Sequence, residues 1–432
     1  MAWDFSTDPA FQAELEWMDS FVRAEIEPLD ALWGDLAYVP LDARLRMIVD
    51  PLKDQVRARG LWACHLGPEL GGQGFGQLKL GLMNEILGRS SWAPIVFGTQ
   101  APDTGNAEII AHYGTDDQKR RYLQPLLDGE IFSCYSMTEP QGGSDPSLFR
   151  TRAVRDGDEW VITGEKFFSS NFSSAAFVIV MVITDPDVPV YQGSSMFLVP
   201  TDTPGLDVVR YLGTGDEPIG TGMHAYMRYN DVRVPADNLL GGEGQGFAIA
   251  QTRLGGGRIH HAMRTVAQCR QAFDMLCERA LSRETRTGIL GDKQFVQGYI
   301  ADSYAEIEQF RLFVLYTAWL IDQKTTAGAR KEIAAAKYTA AKVLHDVVQR
   351  AVQVHGALGV SNEMPLSRLW QIAAMQGVMD GPNEVHKVTV ARQILKDCRP
   401  APDEWPSRHL PRTIAAAQAK FADLLEHDVG NL

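Results

Sequence analysis

Twice along this chain the hydrophobic period changes, and that switch constrains its fold more than any single motif. From Pro9 to about Ser133, apolar residues recur at helical spacing, as in Phe11, Leu15, Met18, Val22 and Ile26, or along Leu41 to Arg59. A glycine-rich loop, Gly67 to Gly74, interrupts this pattern and leads into an apolar helix over Leu78 to Leu87. From Phe132 to about Leu240 the runs shorten and become β-rich: Trp160 to Ile162, Phe177 to Ile183, Met196 to Val199, Leu206 to Tyr211 and Ala225 to Val234. Turn residues separate them at Asp156-Gly157-Asp158, Asp185-Pro186-Asp187 and Thr203-Pro204-Gly205. Beyond Gly246 the helical period returns over Phe247 to Arg283, Phe295 to Lys324, Ile333 to His355 and Pro365 to Gln376, lengths that suit a four-helix bundle. The expected fold is α+β. It has an N-terminal helical domain over 1–132, a middle antiparallel β-barrel domain over 133–243, and a C-terminal four-helix bundle with a tail over 244–432. The tail from Arg399 onward is expected to be a loose extension with one helix around Thr413 to Glu426.

Composition narrows the function. A chain of 432 residues, 45% hydrophobic and 22% charged, can bury a substantial core. A net charge of -13 argues against nucleic acid or an anionic membrane as partner. No stretch approaches the roughly 18 uninterrupted apolar residues of a spanning helix, and the N-terminus lacks the pattern of a secretory signal. The expectation is a cytoplasmic protein without membrane insertion. Cys64, Cys134, Cys269, Cys277 and Cys398 show no Cys-x-x-Cys spacing, so they are expected to be reduced, small buried residues and no metal site is expected. The pair His260-His261 reads as polar helix-face residues, and the preceding Gly255-Gly256-Gly257 as a point where the helix could bend and shape a pocket.

Two segments carry the chemistry: Tyr135-Ser-Met-Thr-Glu-Pro-Gln-Gly-Gly-Ser-Asp145 and Gly164-Glu-Lys-Phe-Phe-Ser-Ser-Asn171. Together they read as a flavin bed. The Thr138 hydroxyl and nearby backbone N–H groups would meet the polar edge of the ring, Gly142 and Gly143 would allow close approach, and Phe168 would supply an apolar face. Taken alone, Glu-Pro followed by Gly-Gly-Ser-Asp is also ordinary turn chemistry.

The helix, barrel, helix order with the Tyr135 to Asp145 segment at the barrel's start resembles the acyl-CoA dehydrogenase family, from about Phe11 to Lys396. The resemblance implies FAD as cofactor. It places Tyr135, Met137, Thr138, Gly143 and Ser144 on one side of the isoalloxazine, with Phe168 and Ser170 where many members have Trp and Thr. Gln353-Val-His-Gly-Ala-Leu-Gly359 looks like the family's Gln-x-x-Gly-Gly-x-Gly segment, with Ala357 replacing its second glycine. By that likeness Gln353 and Gly356, with Arg283 and Gln294, would reach the ADP part of FAD in a neighbouring subunit, Arg283 at the pyrophosphate, which implies a homodimer or homotetramer.

Met379-Asp380-Gly381-Pro382-Asn383-Glu384-Val385-His386 lies where most relatives carry Tyr-Glu-Gly-Thr. Asp380 thus stands at the catalytic carboxylate position, one methylene shorter than the usual glutamate. Gly381, Ser144 and Arg253 are implied substrate contacts, Arg253 near the CoA entry; Pro382 and Glu384 are implied cofactor contacts. Without the resemblance, Asp-Gly-Pro reads first as a plain turn with a capping aspartate. Some relatives place the base on the first helix after the barrel, where this chain has Thr252.

The implied function is FAD-dependent α,β-dehydrogenation of an acyl-CoA thioester in fatty-acid β-oxidation. Asp380 would take the α-proton, the β-hydrogen would leave as hydride to flavin N5, and an electron-transfer flavoprotein would accept the electrons. Same-fold alternatives are an acyl-CoA oxidase, a nitroalkane-oxidase-like flavoenzyme with an aspartate base, and a non-catalytic DNA-associated member, against which the net charge speaks.

Overall fold

The structure is a computed structural model and describes residues 7–37, 41–68, 73–215 and 217–428, so part of the Gly67 to Gly74 loop lies outside the described residues. Residues 1–387 and 388–432 form two compact units.

In the first unit the chain opens with α1 (Pro9–Phe21), α2 (Ala43–Ala58), α3 (Gly76–Leu87) and α4 (Asp103–Tyr113). Aspartate caps start two of them: Asp8 accepts the Phe11 amide at 2.9 Å and Asp42 the Leu45 amide at 2.8 Å. Eight strands follow: β1 (Phe132–Ser136), β2 (Arg152–Asp156), β3 (Glu159–Ser170), β4 (Ala175–Ile183), β5 (Ser194–Pro200), β6 (Leu206–Leu212), β7 (His224–Pro235) and β8 (Leu239–Leu240). Then come α5 (Gly246–Ser282), α6 (Gln294–Gly328), α7 (Arg330–His355), α8 (Leu366–Gln376) and α9 (Asn383–Asp397), which crosses into the second unit. The N-terminal helical, middle β and C-terminal helical architecture is as expected.

The sheet departs from the expected antiparallel arrangement along β4, which runs parallel to both β1 and β2. Its order is β6-β7-β3-β1-β4-β5-β8, with β2 pairing both β3 and β4, so the pairings β3–β1–β4–β2–β3 close on themselves. The β1–β4 pair is parallel, from Ser133 opposite Phe177 to Ser136 opposite Val180. The β2–β3 hairpin intervenes between them, so the chain re-enters beside β1 in the same direction. Strand β4 is apolar on both faces for a packing reason. Phe177, Ile179 and Met181 join a cluster with α4 and α5 residues such as Ile109 and Ile249, while Val178, Val180 and Val182 fill the barrel with Trp160, Phe197 and Met227.

Two smaller expectations are corrected. Cys64, Cys134 and Cys269 are buried, but Cys277 is half-buried and Cys398 exposed. Among the described residues the tail from Arg399 carries two helices rather than one, α10 (Leu410–Lys420) and α11 (Ala422–Asp428), because the backbone leaves helical geometry at Phe421 (φ -109°, ψ 18°). Among the described residues no helix is long and apolar enough to cross a membrane.

Candidate functional site

The two motif segments meet at the ends of β1 and β3. Tyr135 stands opposite Ser170 in an antiparallel pairing, and the Phe167 amide donates to the Thr138 carbonyl at 2.8 Å. Between Lys166 and Ser169 the register of β3 against β7 shifts, and within that bulge Phe168 takes a left-handed backbone (φ +57°). Its ring is 48% exposed and edge-packed on Phe167 at 4.6 Å. A bulky residue held at positive φ with its ring turned outward is the kind of local strain that bulges create at functional surfaces. Ser170 shares a 2.8 Å hydrogen bond with His224 Nδ1. Of the two glycines expected to allow close approach, Gly142 is the packed one: a Cβ there would lie 3.1 Å from Leu148, whereas at Gly143 it would meet only the Thr138 methyl at 3.7 Å. Gly143 and Ser144 are exposed.

Beneath this rim lies a buried ion pair. Lys166 Nζ donates to Glu139 Oε1 and to the Met137 carbonyl, both at 2.8 Å, with the two side chains 0% and 2% exposed. Glu139 also accepts the Arg150 amide at 2.6 Å and the Thr151 amide at 3.0 Å. Burial pushes the Glu139 carboxyl up, but Lys166 and the amides outweigh it and hold it below the usual range. Burial draws the Lys166 ammonium down to about 8 against the pull of Glu139. The knot ties the Met137 to Thr151 loop to β3.

The second wall is α5. Arg253, Gly257, His261 and Arg264 follow at spacings of four, four and three, which puts them on one helix face. The Arg253 guanidinium lies 3.8 Å from the Tyr135 ring centre, and its Nε donates to Asn106 Oδ1 at 2.8 Å, so it sits half-buried between α5, β1 and α4. Burial pushes the Tyr135 phenol up to about 12. Arg264 Nε donates to Asn84 Oδ1 at 2.9 Å.

The glycine triplet does not break α5, which runs unbroken for 37 residues. Instead it lets other side chains come close. A Cβ on Gly256 would lie 2.7 Å from Glu108 Oε2, and one on Gly257 3.4 Å from Asp380 Oδ2. Burial pushes the Glu108 carboxyl up to about 7, opposed by Arg253. His260 is 7% exposed and so not on a polar face, whereas His261 is half-buried on the face it shares with Arg253 and Arg264, and burial holds it down at about 4.

Asp380 lies on the turn between α8 and α9, with a left-handed backbone of its own (φ +52°). Its carbonyl accepts Arg258 Nε at 3.0 Å and His386 Nε2 at 3.2 Å. The next carbonyl, of Gly381, accepts Lys337 Nζ at 2.8 Å, and the same ammonium reaches the Gln376 carbonyl at 2.6 Å. Gly381 needs to be glycine: φ is +98°, and a Cβ would lie 3.1 Å from His386 Nε2. Burial draws Lys337 down to about 8 and His386 to about 4, so His386 is neutral and carries its proton on Nε2. The carboxylate itself faces His261, Nε2 to Oδ2 3.7 Å. Pro382 flanks this turn, and Glu384 is exposed in the first turn of α9.

The remaining expected residues do not join this constellation. Arg283, Gln294, Gln353 and Gly356 are all exposed. The Arg350–Glu306 ion pair at 2.8 Å fixes α6 and α7 as antiparallel neighbours, which brings the start of α6 and the end of α7 to the same end of the bundle. Gln353 is 16 residues beyond Lys337 on α7, about 24 Å along a helix.

Comparison with known proteins follows this architecture domain by domain. Family models described as "Acyl-CoA dehydrogenase, N-terminal domain", "middle domain" and "C-terminal domain" match residues 10–130, 134–229 and 244–395. The chain is 40% identical over 396 residues to "Probable acyl-CoA dehydrogenase FadE2" of Mycobacterium tuberculosis, covering 91% of this chain and 93% of that one. The chain belongs to the acyl-CoA dehydrogenase family. It is also 39% identical over 356 residues to human "Acyl-CoA dehydrogenase family member 11", but spans only 45% of that longer protein. Butyryl-CoA dehydrogenase from Megasphaera elsdenii shares the fold at TM-score 0.76 and 27% identity, over 91% of this chain and 100% of that one.

In this acyl-CoA dehydrogenase, sequence reasoning missed Lys166 and Lys337 although both left a signal. Lys166 falls on the buried alternation of β3 with Trp160 and Ile162. Lys337 falls on the apolar stripe of α7 with Ile333, Ala340 and Leu344. A lysine on an apolar stripe predicts a buried partner. Glu108 left no comparable signal, because its burial depends on Gly256 of a distant helix.

Proposed function

We propose that this protein is an FAD-dependent dehydrogenase of acyl-CoA thioesters with Asp380 as the base. The observation that carries the reading is the Asp380 turn: a carboxylate seated over Gly257, with its own carbonyl held by Arg258 and His386 and the next carbonyl, of Gly381, by Lys337. The outward ring of Phe168, with the exposed amides of Gly143 and Ser144, fits a planar conjugated ring that covers it. Tyr135, Met137, Thr138, Ser170, Pro382 and Glu384 complete our cofactor assignment; Ser144, Arg253 and Gly381 are the substrate assignment. Bound FAD supplies the acceptor for the β-hydrogen. Asp380 takes the α-proton, a role worth roughly 10²–10⁴-fold in rate.

The exposed Gln353 stands about 24 Å beyond Lys337 along α7, at the end of the bundle where α6 begins, so we assign it, with Arg283, Gln294 and Gly356, to the ADP end of a second copy's FAD. The exposed Phe295 and Leu281 beside them, 85% and 69% accessible, favour such a homo-oligomer. We further infer electron-transfer flavoprotein as acceptor, a cytoplasmic location, a place in β-oxidation, and functional domains at 1–132, 133–243 and 244–432.

The test is anaerobic titration of the purified yellow protein with a panel of acyl-CoAs, followed by admission of air. Reduction by an acyl-CoA, with Asp380→Asn remaining yellow but reduced at least about 10³-fold more slowly, supports the reading. An Asp380→Asn protein reduced at the unchanged rate refutes it, and fast reoxidation by air makes it an oxidase.

A further inference from the structure

Arg258 and His386 hold the Asp380 carbonyl and Lys337 the next one, of Gly381, whereas His261 faces the Asp380 carboxylate itself. Gly257 precedes His261 by one helical turn on the same face of α5, and its missing side chain leaves the carboxylate room beside the imidazole. The charged and titratable groups facing His261 are Asp380, Arg264, Arg253, Lys337 and His260. Burial and the cations keep the ring neutral, so it offers one N–H and one lone pair.

This inference rests on the reading of Asp380 as the α-proton base. We propose that His261 is a positioning residue for that base: its Nε2–H donates to one oxygen of the Asp380 carboxylate and so turns the other oxygen toward the α-carbon of the acyl thioester. The present 3.7 Å separation exceeds a hydrogen bond of about 2.9 Å, and contacts of this kind tighten when substrate binds. In the transfer the α-carbon–hydrogen bond breaks, an O–H bond forms on the free Asp380 oxygen, and the electron pair passes into the thioester enolate. The His261 proton stays on nitrogen. Aim matters because an aspartate is short, and a misplacement of about 1 Å costs on the order of 10²-fold.

The experiment uses the FAD-loaded enzyme with a 3-thiaacyl-CoA, which has an acidic α-hydrogen but no hydrogen on position 3 to give up. Exchange of the α-hydrogen with D2O is followed by NMR at saturation, alongside the dissociation constant of the analogue. His261→Phe is expected to slow exchange by about 30–100-fold with analogue affinity unchanged within about twofold, and His261→Gln, which keeps an N–H, to recover to within about tenfold of the unaltered enzyme. Unaltered exchange in His261→Phe overturns the inference, as does an equal loss in both variants with weakened analogue binding. Should the Phe variant not fold, His261→Ala with added imidazole makes the same decision: restored exchange supports it and no restoration overturns it. Absence of exchange in the unaltered enzyme is a failure of the dehydrogenase reading instead.

Discussion

Phe168 and Asp380 are both non-glycine residues in left-handed backbone conformations, at φ +57° and +52°, yet the protein holds them by opposite means. Phe168 is fixed by strand register, in a bulge of β3 whose neighbour Lys166 is buried against Glu139. Asp380 lies outside any sheet and is fixed by side chains that reach in from α5, α7 and α9 to two successive carbonyls. Such conformations cost on the order of 1–3 kcal/mol each, so each needs surroundings that over-determine it. On the function proposed above, the rim is a surface for a ring to lie on and tolerates exposure, whereas a base at Asp380 must point in one direction, which buried donors serve better.

Breaking the rim's support should have the largest effect on stability. Lys166→Met leaves Glu139 as a buried unpaired carboxylate, and urea denaturation should show a loss of about 3–5 kcal/mol. A loss below about 1 kcal/mol would mean that the pair does not anchor the Met137 to Thr151 loop.

The clamp side should instead be sensitive to acid, since burial holds its His261 and His386 near 4, and two other buried histidines add to the effect: His65, held near 3, and His260, well below the ordinary value of 6.5. Once unfolded, these histidines bind protons near 6.5, so between about 6.5 and 4 the unfolded chain holds more protons and stability falls as pH drops. Each contributes up to about 2 kcal/mol of this loss at pH 5. Thermal melts at pH 7 and 5 test it, and a melting temperature that rises on acidification contradicts the assignment.

The smallest effect sharpens the comparison most. Phe168→Gly relieves the left-handed strain and should raise the stability of the flavin-free protein by up to about 1 kcal/mol, while weakening FAD binding by roughly tenfold through loss of the ring. If stability falls and FAD affinity is unchanged, the ring serves packing rather than the cofactor.

Much of the fold was legible because period is a local property. The helical spacing of Phe11 to Ile26 and the apolar run of Phe177 to Ile183 report their own burial. The parallel β1–β4 pair was not legible, since strand direction depends on how the β2–β3 hairpin crosses between them. At the site, the Tyr135 to Asp145 and Gly164 to Asn171 segments were readable as motifs, whereas the approach of His261 to Asp380 was not, because the two lie on separate elements more than a hundred positions apart.

The order of residues along the chain settled which segments are helix and strand and which glycines and acids sit at the turns, Asp380 among them. Tertiary structure alone decided that Arg253 packs inward on Tyr135, that Gly256 and Gly257 admit Glu108 and Asp380, and that Lys337 grips the turn after Asp380. Propensity and pattern act between neighbours in sequence. Burial, and the hydrogen-bond partners and proton affinities that follow from it, exist only once distant elements have packed.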